Sequence, residues 1–139
     1  MTLTLLFTLG EEIYGLEISA IQEIVEEAPL YYVPWAEGAL LGAINFHSQV
    51  LAVIDLAALL GFPGEKRDPR RVVLTSQFKS LVLTVGSIHR IVNLDLSELQ
   101  STPSSTGSKA IRGVASLDET TINLLDMNEV INRLRNQSA

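Results

Sequence analysis

The chain of 139 residues has no cysteine, 6% aromatic residues and no long hydrophobic run. Without cysteine it can form neither disulfides nor thiolate metal sites. Its longest apolar stretches, Ala39–Ile44 and Leu56–Leu60, are far shorter than the ~20 residues that cross a bilayer. No basic region precedes Leu3, as it would in a secretion signal. We therefore expect one cytoplasmic globular domain that does not insert into a membrane.

Positive charge is missing from the first half of the chain, since no lysine or arginine occurs before Lys66. Nucleic-acid binders concentrate such cations on one face, so we expect no nucleic-acid partner. Two interpretations of the acidic half stay open: attraction to the later basic residues within one fold, or an acidic docking surface. The acids before Lys66 are Glu11, Glu12, Glu17, Glu23, Glu26, Glu27, Glu37, Asp55 and Glu65.

Catalytic and cofactor motifs are also missing. The sequence contains no G-x-S-x-G, H-E-x-x-H, P-loop or G-x-G-x-x-G pattern. His47 and His89 have no carboxylate or second histidine at ligand spacing, so we expect no metal and no cofactor. His47 and Ser48 could act as a base and a nucleophile, but adjacent strand residues point to opposite faces. A small hydrolase that uses this pair remains the enzyme alternative to a non-enzymatic protein.

Period-2 alternation and β-branched runs are abundant, with turn residues every 8 to 12 positions or so, which predicts a mostly β sandwich or small barrels. Gly10-Glu11-Glu12 and His47-Ser48 are predicted turns, and Gly86 a bend or bulge. The predicted strands are Leu3–Leu9, Ile13–Ile18, Leu30–Val33, Ala39–Phe46, Gln49–Asp55, Val72–Thr75, Leu81–Val85, Ile88–Leu94, Ile111–Ala115 and Thr121–Leu125.

Helical signals are few. Ser19 precedes Gln22 by three residues, and Ile21, Ile24 and Val25 would share a helical face, which predicts a short helix or helical turn there. Asp55 is interpreted as the cap of a helical turn at Leu56–Leu60 that Gly61 closes. Asp126 is predicted to cap a final helix, which packs through Val130, Ile131 and Leu134.

Three further segments bear on organisation. Phe62–Arg71 is rich in proline and charge, and is predicted to be an exposed loop and a possible subdomain boundary within a single domain spanning 1–139. Ser101–Ser108 is a polar low-complexity loop. Trp35, the only tryptophan, follows Pro34 and is either a half-buried plug or an interface anchor.

The sequence resembles the CheW-like domains of bacterial chemotaxis coupling proteins. The resemblance rests on FTLGEEIYGLEISAIQEIVE (Phe7–Glu26) and VPWAEGALLGAINFHSQVLAVIDLAALLG (Val33–Gly61), and extends through Leu81–Leu94 and Ile111–Ile131. The matching positions include Tyr14-Gly15, Ile21, Glu23-Ile24, Val33-Pro34, Gly42, Asn45 and Ile54-Asp55-Leu56.

The resemblance implies two intertwined five-stranded β-barrel subdomains with a short helical turn and a C-terminal helix. It also implies a non-enzymatic adaptor in bacterial signal transduction. Such a scaffold couples the cytoplasmic tip of a methyl-accepting chemoreceptor to the regulatory domain of a CheA-type histidine kinase. It is cytoplasmic and is recruited to membrane-associated receptor arrays. The alternative is a divergent relative that serves another chemosensory or surface-motility pathway.

The receptor-side residues implied by the resemblance are Ile21, Glu23, Gly42, Asn45, His47 and Ser48. Where the family has Asn-x-Arg-Gly, this chain has Asn45-Phe46-His47-Ser48. Imidazole is mostly neutral at pH 7 and cannot form the forked hydrogen bonds of guanidinium to Glu23. The family's Val-Asp pair is likewise replaced by Val85-Gly86.

Overall fold

A computed structural model describes residues 1–26, 28–34, 38–100 and 110–137. Within these ranges the chain is built mostly of β-strands, as predicted. Trp35 and the loop Ser101–Ser108 lie outside the described residues. The elements are β1 (Thr2–Leu9), β2 (Glu12–Glu17), β3 (Ile21–Val25), β4 (Leu40–Phe46), β5 (Gln49–Asp55), α1 (Leu56–Leu59), β6 (Arg71–Leu74), β7 (Val82–Thr84), β8 (Ser87–Leu94), β9 (Ile111–Leu117), β10 (Thr120–Leu125) and α2 (Met127–Gln137), with 3₁₀ turns at Ile18–Ala20, Ser76–Phe78 and Leu96–Glu98.

The strands form two five-stranded sheets. The first has the order β8-β1-β2-β10-β9 and the second the order β3-β6-β7-β5-β4. The first sheet therefore combines the two ends of the chain, and the second contains the middle. This interleaving confirms the expected mostly β fold of two intertwined five-stranded units. The chain changes sheet at Ile18–Ala20 and again between β7 and β8, and not at 62–71, which joins α1 to β6 within the second unit.

Hairpin turns confirm the strongest local predictions. Gly10 has φ 61° between β1 and β2, a conformation that costs glycine little. His47 and Ser48 connect β4 to β5 with φ values of 49° and 67°. These angles are those of the mirror-image turns whose twist matches a hairpin. Gly86 lies in the predicted bend, where its amide donates to the Thr8 carbonyl oxygen at 2.9 Å.

Two local predictions are wrong. Ile21–Val25 is the strand β3 rather than a helix, and only Ile18–Ala20 before it forms a helical turn. Pairing of β3 with β6 gives its isoleucines a partner strand, and this tertiary contact outweighs the weak helical periodicity. Leu30–Val33 contributes one bridge, Tyr31 to Ala43, rather than a strand. Proline at positions 29 and 34 limits the backbone pairing of this segment.

Alternate side chains along the strands enter different cores. In β1, for example, Leu5 and Phe7 enter the large cluster between the sheets, whereas Leu6 enters a cluster inside the first sheet. In β6, Val72 and Leu74 face the large cluster and Val73 faces the inside of the second sheet. Each inner cluster receives side chains from all five strands of its sheet, so both sheets curl around an apolar interior.

Both predicted helix caps are confirmed. The Asp55 carboxylate accepts from the Ala58 amide, and that of Asp126 accepts from the Glu129 amide. In α2, Val130 is fully buried and Leu134 packs against the large cluster, whereas Ile131 is half-buried. Helix α2 has 11 residues, and no helix in the described ranges has the length and apolar character needed to span a membrane.

Candidate partner-binding surface

Glu23 and His47 meet across the two end strands of the second sheet. Glu23 lies in β3 and His47 in the turn after β4, yet Glu23 Oε1 and His47 Nε2 are 3.7 Å apart. In a flat sheet, four inter-strand steps would separate these strands by about 19 Å. The sheet therefore curls until its ends meet, and the seam carries the pair that the resemblance implies.

The pair is open to solvent. The His47 side chain is 72% exposed and that of Glu23 is 49% exposed. The imidazole contacts the Phe46 ring edge to face, with ring centroids 4.2 Å apart, and Phe46 itself is buried. Exposed ion pairs of this kind contribute about 0–1 kcal/mol. The pair therefore marks an accessible surface and adds little to the stability of the fold.

Four of the six predicted site residues form one exposed surface, which we call the seam surface: Glu23, Asn45, His47 and Ser48. Ile21 is half-buried against the large cluster. Gly42 is buried, and a Cβ there would lie 2.4 Å from the Tyr31 carbonyl oxygen. Gly42 thus allows the Tyr31 segment to pack on β4, and offers no side chain to a partner.

A second surface lies beside the first and was missed at the sequence level. Tyr32 and Val50 are 82% and 79% exposed, and Val50 pairs across the hairpin with Asn45 of the seam surface. Large exposed apolar side chains in a group mark interaction sites. The sequence does contain a signal of this surface, namely the apolar run between Pro29 and Pro34. A run with proline at both ends cannot form a regular buried strand. We call this group the apolar surface: Leu30, Tyr31, Tyr32, Leu41 and Val50.

Ion pairs decide between the two interpretations of the acidic half. Arg67 Nε lies 2.8 Å from Asp55 Oδ1, and Arg112 pairs with Glu17, so later cations do neutralise earlier acids inside the fold. Glu23, by contrast, has only the imidazole of His47 as its ion-pair partner among the described residues. Attraction within the fold therefore holds for Asp55 and Glu17, and an acidic docking surface at Glu23 stays a prediction.

Asp68 fastens the exposed loop 62–70 to β8. Its carboxylate accepts from the Arg70 side chain and from the backbone amides of Arg70 and Ile88. These bonds, with that from the Arg70 side chain the strongest, lower the pKa of Asp68 to about 2. The fastening holds the chain where it crosses from the second sheet back to the first.

The described residues contain no cluster of three or more potential metal ligands. His47 Nε2 faces Glu23, and Ser48 follows in the same exposed turn. The geometry around the pair proposed for hydrolysis is thus that of a surface turn rather than a cleft.

Known proteins are similar to this chain over nearly its whole length. The family model of the CheW-like domain matches residues 3–135. "Chemotaxis protein CheW" of Rhizobium meliloti (strain 1021) is 30% identical over 129 residues, which cover 89% of this chain and 83% of the relative. "Probable chemotaxis protein CheW" of Rhizobium etli is 27% identical over 138 residues, covering 96% and 89%. The crystal structure of scaffolding protein TtCheW from Thermoanaerobacter tengcongensis has 24% identity, covers 88% of this chain and 87% of that one, and superposes with a TM-score of 0.80.

Two curled five-stranded sheets with few helices define a β-rich domain. The chain belongs to the CheW-like domain family. It is a non-enzymatic chemotaxis adaptor, and the hydrolase interpretation of His47 and Ser48 is wrong.

Proposed function

We propose that the chain couples the cytoplasmic tip of a methyl-accepting chemoreceptor to the regulatory domain of a CheA-type histidine kinase. It does so in the cytoplasm, recruited to membrane-associated receptor arrays, without binding nucleic acid or inserting into the membrane. The observation that carries the proposal is the meeting of Glu23 and His47 at 3.7 Å on an exposed seam. The seam gathers residues far apart in sequence into one surface suited to a partner.

The seam surface is the receptor side of this proposal. Glu23 and the neighbouring exposed Glu26 have no lysine or arginine ion pair among the described residues. Complementary charge then favours a receptor segment that brings its own lysine or arginine. Exposed charges act mainly on association rate and on the choice of partner.

The apolar surface is the kinase side. Tyrosine supplies large contact area and is enriched among the residues that dominate interface energies. Apolar burial is not screened by salt, so kinase binding should change little between 50 and 200 mM salt. Because Val50 pairs with Asn45, the two surfaces adjoin, and both partners can be held side by side.

Titrations of the purified chain against each partner test the proposal. Tyr32→Ser combined with Val50→Thr should weaken binding to the kinase regulatory domain at least tenfold. Ile91→Thr, which alters an exposed apolar residue of the first sheet, is the matched control and should leave it unchanged. Two outcomes would contradict the assignment of the apolar surface to the kinase. One is equal binding by the native chain, the double variant and the control, and the other is a hundredfold loss of affinity between 50 and 200 mM salt.

One observation favours the second candidate, a divergent relative that serves another chemosensory or surface-motility pathway. His47-Ser48 replaces the family's Arg-Gly, so the seam lacks a permanent cation. This candidate predicts that the chain binds receptors of its own pathway more tightly than a receptor whose CheW partner has Arg-Gly. A titration with the two kinds of receptor tip distinguishes the candidates.

A further inference from the structure

A cavity of about 560 Å³ lies between the β1–β2 turn and the loop that follows α1. We call it the loop cavity, and its lining consists of Thr8, Gly10–Glu12, Phe62–Arg67 and Gly86. Most of its surface is apolar. Ligand pockets in proteins usually measure about 300–1,000 Å³, so the loop cavity has the size of a binding site.

The Phe62 ring supplies an apolar wall that is fixed in place. It packs edge to face on the buried Tyr14 ring, with ring centroids 5.7 Å apart. A Cβ added at Gly10 would lie 3.1 Å from Phe62 Cδ1, so the ring also lies against the β1–β2 turn. Phe62 is half-buried and lines the cavity. An apolar side chain of a partner would therefore meet a ring that is already positioned.

Hydrogen bonds hold the opposite wall, the loop itself, in one arrangement. Arg67 Nε donates to the Asp55 carboxylate at 2.8 Å. Arg67 Nη1 donates to the carbonyl oxygens of Gly64 and Lys66, at 3.3 and 2.8 Å. Directly after Arg67, the Asp68 carboxylate fastens the chain to β8. The cavity is thus preformed, and a ligand need not order the loop, which lowers the entropic cost of binding.

Charge around the cavity is unbalanced. Glu11, Glu12 and Glu65 are exposed and form no ion pair with another described residue. Of the lining cations, Arg67 is paired with Asp55, so that Lys66 alone has no ion pair among the described residues. Three unpaired acids therefore face one unpaired base, and both acids of the turn lie on the same wall. Complementary charge favours a partner that is positively charged there.

The loop cavity is separate from both surfaces of the proposed function. Asp55, which holds Arg67 of the loop, is the last residue of β5. The His47-Ser48 turn of the seam surface and Val50 of the apolar surface lie at the start of this strand. The seven residues of β5 span about 20 Å. A partner in the cavity would therefore not compete for the seam surface or the apolar surface.

We propose that the loop cavity binds a segment of a partner protein in which a large apolar side chain adjoins a lysine or arginine. The apolar side chain packs against the Phe62 ring, and the basic side chain faces Glu11 and Glu12. The aliphatic stem of the basic residue adds to the apolar contact, because such stems pack along apolar surface while the charge stays in water.

The test is an NMR titration of the full chain with the capped peptide acetyl-Gly-Phe-Arg-Gly-amide. Backbone amide signals of the lining residues should shift and reach saturation. A peptide with alanine in place of phenylalanine should bind about tenfold more weakly, because it buries little apolar surface. A peptide with glutamate in place of arginine should bind two- to fivefold more weakly, as expected for exposed ion pairs. Equal binding of either altered peptide would overturn the proposal, as would shifts confined to other parts of the chain.

Two charge reversals of opposite sign locate the peptide. Glu11→Lys should weaken its binding two- to fivefold, and Lys66→Glu should strengthen it by a similar factor. Both residues are exposed, and both variants should unfold as cooperatively as the native chain. Glu98→Lys, an equal charge change beyond the end of β8 that is distant from Gly86, is the matched control and should leave binding unchanged.

Two results of the variant titrations would overturn the proposal. One is an unchanged affinity, or a change of the same sign, in Glu11→Lys and Lys66→Glu. The other is a set of shifts in the lining residues that grows with protein concentration in the absence of peptide, which would favour a second copy of this chain as the occupant.

Discussion

Glu23 Oε1 lies 3.7 Å from His47 Nε2, although the two residues belong to opposite ends of a five-stranded sheet. Their meeting requires the sheet to curl into a barrel-like unit around Ile44, Phe46 and Val73. The pair consequently reports on closure of the second sheet as well as on the chemistry of the exposed surface. A permanent cation in place of the imidazole would strengthen the electrostatic attraction across this closure.

Restoring the family's turn should strengthen binding to a standard receptor. In the double variant His47→Arg with Ser48→Gly, a permanent cation faces Glu23, and glycine takes up the positive φ without strain. We expect tighter binding to a receptor tip from a pathway with an Arg-Gly adaptor, and weaker binding to the chain's own receptor. Parallel isothermal titrations of both proteins against both tips measure this.

Glu23→Gln in the same double variant is the control. It removes the carboxylate that the new arginine faces, and should cancel most of the gain. If the double variant binds each of the two receptor tips as tightly as the native chain does, the seam surface does not contact receptors.

Gly42→Ala should destabilise the fold strongly. The new Cβ would lie 2.4 Å from the Tyr31 carbonyl oxygen, which also accepts a hydrogen bond from the Ala43 amide. Overpacking together with loss of the Tyr31–Ala43 bonds should cost about 3 kcal/mol. Urea unfolding followed by circular dichroism provides the measurement.

The loss of stability in Gly42→Ala could come from backbone strain at a positive φ or from the close approach of the Tyr31 carbonyl oxygen, and Gly61→Ala distinguishes these two causes. Both glycines have a positive φ, 155° at Gly42 and 79° at Gly61, but a Cβ added at Gly61 would have no atom within 4 Å. It should lose only the backbone term of about 1–2 kcal/mol. Equal losses for the two variants would show that the close approach of Tyr31 is not the constraint.

Protonation of Asp68 should lower the free energy of unfolding as the pH falls from about 4 to about 2. Its pKa in the folded chain is about 2, below its ordinary value of 3.8, because the Arg70 side chain donates to it. A carboxyl group whose pKa is lower in the folded chain stabilises the fold at pH values above its ordinary pKa. That contribution disappears as the pH falls through about 2. Asp68→Asn should flatten this part of the unfolding free energy plotted against pH.

The exposed Asp118, in the β9–β10 turn, serves as the control for acid unfolding. Asp118→Asn should leave the slope between pH 4 and pH 2 as in the native chain. An unchanged slope in Asp68→Asn would mean that the loop 62–70 is not fastened through this carboxylate.

Val130 should be essential to the docking of α2. It is fully buried in the large cluster, so Val130→Asp places an unpaired charge in an apolar core. We expect the variant to aggregate and to lose its cooperative thermal unfolding, as would a chain truncated after Asp126. Asn128→Asp changes an exposed neighbour in the first turn of α2 and should leave the melting temperature unchanged or slightly higher. A cooperatively melting Val130→Asp protein would contradict this packing.

Much of the fold could be predicted locally. The hairpins at Gly10 and at His47-Ser48, the caps Asp55 and Asp126, and the bend at Gly86 depend on neighbouring residues and on the chemistry of their own side chains. Those features were predicted correctly. Ile21–Val25 was not, because its strand conformation depends on pairing with β6, some fifty residues further along the chain.

The candidate site divides in the same way. Six residues could be chosen from the resemblance, but their exposure could not: Gly42 is buried, and Ile21 is half-buried. The apolar surface was missed because the periodicity of Leu30–Val33 is that of a strand, whereas Tyr31 makes a single bridge. Solvent exposure is a property of what packs around a residue, and sequence periodicity does not report it.

By itself, the amino-acid sequence determined the β-rich class, the turns and caps, the lack of catalytic motifs and the separation of acidic from basic residues. Each of these depends on residue type and short-range spacing. Only the tertiary structure decided that Glu23 meets His47, that Asp68 reaches Ile88 and that Tyr31 pairs with Ala43. These relationships depend on the order of strands in each sheet and on its curvature, which arise when alternate faces of the same strands are buried in different cores.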